Sequence, residues 1–411
     1  RTRALVALRH RNFRLYMPGQ ALSMIGISIL SLALPWVVFT KTHTVLWVGL
    51  ALTLQYLPLL GGSPFAEVLL RTVSRRRLLV GTHTLCCGIG FALALLAWLG
   101  AEPLWALLLL SLLWGAVQAC EAPTRQHFLV DMVGRHDLTY AISLTASAWN
   151  AAAIVGAAVA GLLLVMVGAW AAFAAVGAGV LAGAFGLLLL TDLPILVRDA
   201  PSRARPRAVW RGVSAHPSPA ALALILLGCT FSALGMNRLT LVPALAGGLL
   251  GSGAAGFAIS MVGLGLGAAV GTVALLWQGS FLLERRSLWF AAGWAVAMVL
   301  FGWSRWTWAS AVLLGCSGLF QTWFLASVSH RLQRIVPDPA RGTTLTLYAW
   351  CVVATAALGP LQAALLGWAV GVPITITIDA IAVTAVAIAV GVRWKRSVAK
   401  PTDQISSNAA P

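Results

Sequence analysis

Residues 151–168 read AAAIVGAAVAGLLLVMVG, a stretch without a charge and without any alternation of polar and apolar side chains. It lies inside a longer uncharged run from Leu138 to Thr191. One helix needs about 20 residues to cross the hydrocarbon core of a bilayer, so this run is long enough for two crossings. Strands of a transmembrane β-barrel alternate in polarity, and other backbone in lipid has to form helices. The stretch therefore predicts two membrane-spanning α-helices that turn near Gly168.

The rest of the chain continues this pattern. Of its 411 residues, 60% are hydrophobic and 9% are charged, whereas soluble domains carry about 25% charged residues. Uncharged runs recur from Leu15 to Val392. Dividing the lengths of these runs by the length of a spanning helix predicts an all-α integral membrane protein with twelve transmembrane helices. The first run is too long for the apolar core of a signal peptide, so we expect it to remain as helix 1.

Lysine and arginine residues lie at one end of the predicted helices. Of the 28 such residues, all but Lys41, Arg238 and Arg305 precede helix 1 or follow an even-numbered helix. Basic residues mark the cytoplasmic loops of membrane proteins, so we expect a multi-pass protein of the bacterial inner membrane with both termini in the cytoplasm. The net charge of +17 then reflects topology and contact with anionic lipids, and no nucleic-acid partner is expected.

The two halves of the chain repeat each other in the same direction. Gly156 lies 203 residues before Gly359, and Gln118 lies 203 residues before Gln321. Parallel repeats of this kind build many secondary transporters. The prediction is an N-terminal six-helix bundle at 1–190, a cytoplasmic linker at 191–218, a C-terminal six-helix bundle at 219–396 and a disordered cytoplasmic tail at 397–411.

Several motifs of the first half resemble one branch of a known family. They read LRHRNFRLYMPGQALSMIG at 8–26, SRRRLL at 74–79 and EAPTRQHFLVDMV at 121–133. The chain resembles the enterobactin-exporter and macrolide-efflux branch of the major facilitator superfamily. The resemblance implies the major facilitator fold and export of a small amphiphilic molecule, of the drug, macrolide or siderophore class. It further implies alternating access and proton antiport. Neither a cofactor nor enzyme activity is expected, and the protein is expected to be a monomer.

The sequence departs from this family pattern at several places. Arg71 and Thr72 stand where the superfamily has an Asp-Arg pair after helix 2, and Ala157 stands after Gly156 where antiporters have proline. Two alternatives therefore stay open. One is a non-transporting membrane sensor or scaffold, and the other is an uptake permease of the same fold.

Polar side chains inside the predicted spans are the candidates for binding substrate. Helix 4 carries Trp114, Gln118, Glu121 and Arg125 on one face. The resemblance implies that helices 1, 4, 7 and 10 surround the substrate, although such residues can also join helices to one another. The candidate substrate-binding residues are Gln20, Ser23, Gln55, Trp114, Gln118, Asn150, Arg238, Ser317 and Gln321.

Three charged residues are candidates for proton coupling or gating, namely Glu121, Arg125 and Asp379. Glu121 is expected to load and release a proton, or else to form an ion pair with Arg125 across a helix interruption at Pro123. Arg238 and Asp379 are expected at the same depth, where they either pair or leave Arg238 to attract an anionic substrate. The six cysteines lack metal-type spacing, so neither a metal site nor a disulfide is expected.

Overall fold

The computed structural model describes residues 3–61, 73–190, 219–278, 287–336 and 338–398. The expected linker, Arg71 after helix 2 and nearly all of the expected tail fall outside these residues. A short 3-10 helix at Arg3–Arg9 opens the described chain.

Twelve helices follow in the described residues, which form no β-strand. They are α1 Arg11–Thr42, α2 Val45–Leu60, α3 Arg75–Trp98, α4 Leu104–Gly134, α5 His136–Met166, α6 Ala169–Leu188, α7 Pro219–Leu249, α8 Gly253–Gln278, α9 Ser287–Trp303, α10 Thr307–Ile335, α11 Asp338–Val370 and α12 Val372–Val398. Ten are long and apolar enough to cross a membrane, and α2 and α9 are shorter apolar helices. The expected all-helical membrane fold is confirmed.

Glycines in the left-handed backbone region divide several of these helices. Gly134 has φ of 71° between α4 and α5, Gly168 has φ of 115° between α5 and α6, and Gly371 has φ of 89° between α11 and α12. Side chains with a Cβ are strained at such angles, so glycine permits the chain to reverse there. The turns expected near Gly168 and Gly371 are found.

The internal repeat is visible in how helices pack. A Cβ added at Gly156 of α5 would lie 2.5 Å from the Ser28 Cβ of α1, and one added at Gly359 of α11 would lie 2.5 Å from the Ala233 carbonyl oxygen of α7. Each glycine lets its helix approach the first helix of its own bundle closely. Helices α1 to α6 and α7 to α12 therefore repeat the same arrangement.

The two bundles meet along α2 with α11 and along α5 with α8. At one end of the molecule their tips also touch, because Trp36 of α1 stacks on Phe257 of α8 with ring centroids 5.9 Å apart. We call this the closed end. The opposite end, which carries the first residues of α1, α3 and α5, is called the basic end. There the buried cluster around Phe13, Tyr16 and Phe128 contains only residues of the first bundle, among those described.

Candidate functional site

A cavity of about 560 Å³ opens at the basic end of the first bundle. Helices α4 and α5 supply most of its wall, and Met24 of α1 adds to it. Its lining combines the polar residues Arg125 and Asn150 with apolar ones such as Ile142 and Trp149. A cavity of this size with a mixed lining is suited to a small amphiphilic molecule. Arg125 and Asn150 are the two predicted site residues that line it.

Glu121 and Arg125 form the ion pair that was the alternative to proton coupling. Arg125 Nη1 donates to Glu121 Oε1 at 3.1 Å, and Glu121 is only 3% exposed. The expected interruption at Pro123 is wrong, because α4 continues through it. A proline inside a helix removes one backbone hydrogen bond without necessarily ending the helix.

The predicted residues of α1 lie inside the first bundle. Tyr16 Oη donates to Gln20 Oε1 at 2.8 Å, and both Gln20 and Ser23 are fully buried. Gln118 of α4 accepts a weak contact from Cys86 Sγ at 3.9 Å. The Tyr16–Gln20 bond lies within α1, and the Cys86–Gln118 contact joins α3 to α4.

Two further candidates, Gln55 and Trp114, are also buried. Gln55 lies where α2 crosses α4, and a Cβ at Gly115 would overlap its backbone carbonyl. Trp114 belongs to the large apolar core. Neither residue contributes to the described lining of the cavity at the basic end.

The structure brings Arg238 and Gln321 together in the second bundle. Arg238 Nη1 donates to Gln321 Oε1 at 2.6 Å and to the Gly235 carbonyl oxygen at 3.2 Å. The hydroxyl of buried Ser317 donates to the Leu314 carbonyl oxygen of the same helix at 2.8 Å. Ser317 therefore serves its own helix, whereas Gln321 joins α10 to α7.

Asp379 of α12 bonds to a glutamine and makes no ion pair with Arg238 in the described structure. Gln362 Nε2 donates to Asp379 Oδ1 at 3.1 Å, and Asn237 Nδ2 donates to Gln362 Oε1 at 3.2 Å. Arg238 and Asp379 nevertheless line one small cavity. The expected direct pairing is replaced by proximity across this cavity.

Sequence reasoning missed two ionic contacts at the basic end. Arg75 Nη1 lies 2.8 Å from both carboxylate oxygens of Asp131, and His10 Nε2 lies 2.8 Å from Asp137 Oδ2. Both contacts tie the start of an element to α4 or α5. Asp131 and Asp137 are acids within a basic region, and this was the signal available in the sequence.

Comparison with known proteins comes from one family model and several solved structures. The model, described as a transmembrane secretion effector, matches residues 2–411. No curated protein sequence matches the chain.

The structural similarity is to transporters. A mutant of the nucleoside transporter NupG has a TM-score of 0.74 at 12% identity, covering 92% of this chain and 99% of that one. The POT family transporter PepTSo has a TM-score of 0.70 at 11% identity, covering 95% and 99%. An inward-facing, unoccupied bacterial homologue of the human lysosomal transporter Spinster has a TM-score of 0.65 at 13% identity, covering 93% and 95%. At such identities the likeness establishes the fold.

Proposed function

The chain belongs to the transmembrane secretion effector family of the major facilitator superfamily, and on that premise we propose that this transporter exports small amphiphilic molecules by proton antiport. The substrate class is that of drugs, macrolides or siderophores. The protein works by alternating access in the bacterial inner membrane, with both termini in the cytoplasm. The family description, secretion, supports the outward direction.

The observation that carries the proposal is the cavity at the basic end. The positive-inside rule puts the basic end in the cytosol, so a cytosolic amphiphile reaches the cavity directly. Trp149, which is 38% exposed, and Ile142 offer apolar contact, whereas Asn150 offers an amide. Contact between the two bundles at the closed end then blocks passage of the substrate until the bundles rearrange.

An uptake permease and a non-transporting sensor are the alternatives. One structural neighbour is named as a nucleoside transporter, so a polar nucleoside is an alternative substrate. The cavity lining includes five polar residues, but its seven apolar ones, among them Ile142 and Trp149, favour an amphiphile.

The test is transport by inside-out vesicles with an imposed pH gradient, acid inside. Ethidium and labelled erythromycin serve as a permanently cationic amphiphile and a weakly basic macrolide. We expect gradient-dependent accumulation of at least one of them. Loss of one aromatic contact is worth about 0.5–1.5 kcal/mol, so Trp149→Ala should lower the initial rate by about 2- to 10-fold.

Trp289→Ala is the matched control, because Trp289 lies on α9 and is 73% exposed away from the cavity. Its rate should equal that of the unmodified protein. If neither probe accumulates above vesicles without the protein, the proposed export function is wrong. Accumulation in intact cells instead of inside-out vesicles would indicate uptake.

A further inference from the structure

Helix α7 breaks within its length at a cluster of polar residues. Its first part ends at Gly235 and its second part begins at Arg238, with a turn at Met236 and Asn237 between them. Asn237 bonds to α11 and Arg238 bonds to α10. The break is therefore held by side chains of the surrounding second bundle.

A small cavity of about 10 Å³ lies beside this break, lined by α7, α9 and α12. Three buried polar atoms of its lining residues have no hydrogen-bond partner among the described residues: Arg238 Nε, Trp294 Nε1 and Asp379 Oδ2. Two of these atoms carry hydrogen to donate, and the third accepts. Buried polar groups left unpaired are costly, so the arrangement points to a ligand that accepts from two donors and donates to a carboxylate.

A single water molecule has this chemistry and this size. Cavities of about 10–15 Å³ are the smallest that hold one water, which needs two to four polar partners. A metal cation would need several oxygen ligands, whereas the cavity offers one unpaired carboxylate oxygen and two N–H groups. Water therefore fits the donor and acceptor pattern.

Asp379 differs from the other acids of the molecule. The structure describes the side chains of five acidic residues, and four of them have a direct cationic or histidine partner. Asp379, which is 3% exposed, instead has the neutral amide of Gln362. Direct contact with a cation favours the charged form of a carboxylate, so Asp379 is the described acid for which proton binding is least opposed.

Among the described residues around Asp379, one is charged. Arg238 faces the shared cavity from α7, while α9 contributes Trp294 and α11 contributes Gln362, which are both neutral. The hydrogen bonds of Arg238 go to Gln321 and to the Gly235 carbonyl oxygen, and neither involves Asp379. Discontinuous helices form the coupling-ion sites of many secondary transporters, and ionisable residues inside a membrane mark proton pathways.

We propose that the cavity beside the α7 break binds one water molecule that joins Arg238 to Asp379, and that this water-linked pair is the proton-coupling site of transport. The coupling role rests on the proposed transport function. A proton taken from solvent binds Asp379 Oδ2 and converts the carboxylate to a carboxylic acid, with no other covalent change. Residues from both parts of α7 line the cavity, so we expect movement of these parts to control the access of the proton.

The site itself is tested without any substrate, by infrared spectroscopy of the purified full-length protein across a pH series. We expect a protonated-carboxyl band that Asp379→Asn removes and that Glu121→Gln leaves in place. Arg238→Gln should move the midpoint of this band to higher pH, because the charged carboxylate loses its nearby cation. A band that persists in Asp379→Asn, or a midpoint unmoved in Arg238→Gln, overturns the proposal.

The coupling role is tested in the same vesicles with ethidium and labelled erythromycin. Asp379→Asn should retain exchange of the probe across the membrane and lose accumulation driven by the pH gradient. Loss of both activities to the same extent, or retention of both, contradicts coupling at Asp379. If the unmodified protein moves neither probe, the proposed export function fails, and the infrared result still decides on the proton site.

Discussion

At the scale of single residues, an ion pair at the basic end and one at the closed end differ in how exposed their cations are. Asp131 is buried and accepts at 2.8 Å from Arg75, which joins the start of α3 to α4. At the closed end Lys41 pairs with Glu102, whose side chain is as buried as that of Asp131, but Lys41 is 41% exposed whereas Arg75 is 25% exposed. Breaking a buried pair leaves a charge with poor solvation, whereas an exposed lysine regains water.

Asp131→Asn should therefore destabilise the protein more than Glu102→Gln. We expect a loss of about 1–3 kcal/mol for Asp131→Asn, a buried pair discounted for the partial exposure of Arg75. Glu102→Gln should cost less than about 1 kcal/mol. Thermal unfolding of the purified variants in detergent measures both. Equal shifts in the two unfolding midpoints would mean that burial does not distinguish these pairs.

Contacts between residues close in sequence can be predicted from the sequence. The spacing of Glu121 and Arg125 predicted their ion pair, because residues four apart lie on one helical face. Asp379 and Gln362 are seventeen residues apart on different helices, and Arg75 and Asp131 are 56 apart. Such pairs depend on how helices are placed against each other, which the hydrophobic pattern does not specify.

At the scale of helices, close packing between α2 and α11 joins the two bundles. A Cβ at Gly49 of α2 would overlap Ala364 and the Pro360 carbonyl of α11. The offending atoms are backbone and a rigid methyl group, so they cannot move aside without separating the helices. The contact therefore specifies glycine at this position of α2.

Gly49→Ala should destabilise the protein, with an overpacking cost of about 1–3 kcal/mol. The matched control is Gly81→Ala in α3, where an added Cβ meets no atom within 4 Å. That change should be neutral or should stabilise by up to about 1 kcal/mol, because alanine favours helix over glycine. Thermal unfolding compares the two variants, and a neutral Gly49→Ala would contradict the close approach of α2 to α11.

Helix number and most helix ends follow from the sequence, while the break in α7 does not. Uncharged runs and glycine turns predicted the twelve helices, since lipid requires each run to be helical. The break falls where Asn237 and Arg238 interrupt an apolar segment, but the residues that hold it, Gln321 and Gln362, come from later helices. A local pattern carries no information about partners so far along the chain.

At the scale of the whole molecule, the bundles touch at the closed end, whereas a cavity of the first bundle opens at the basic end. A transporter that works by alternating access has a second state in which this relation is reversed. A sensor or scaffold of the same fold needs only one state. The central claim is therefore that the two ends open in alternation.

Distances between spin labels test this claim directly, in protein whose six native cysteines are replaced. One label pair, Gln126→Cys with Gln333→Cys, spans the basic end, and the other, Thr40→Cys with Gly248→Cys, spans the closed end; all four positions are exposed. We expect a change of pH or added ethidium to produce a second population of molecules. In this population the basic-end distance is shorter and the closed-end distance is longer, and both changes occur in the same fraction of molecules. Single, unchanged distances at both ends under every condition would contradict this claim.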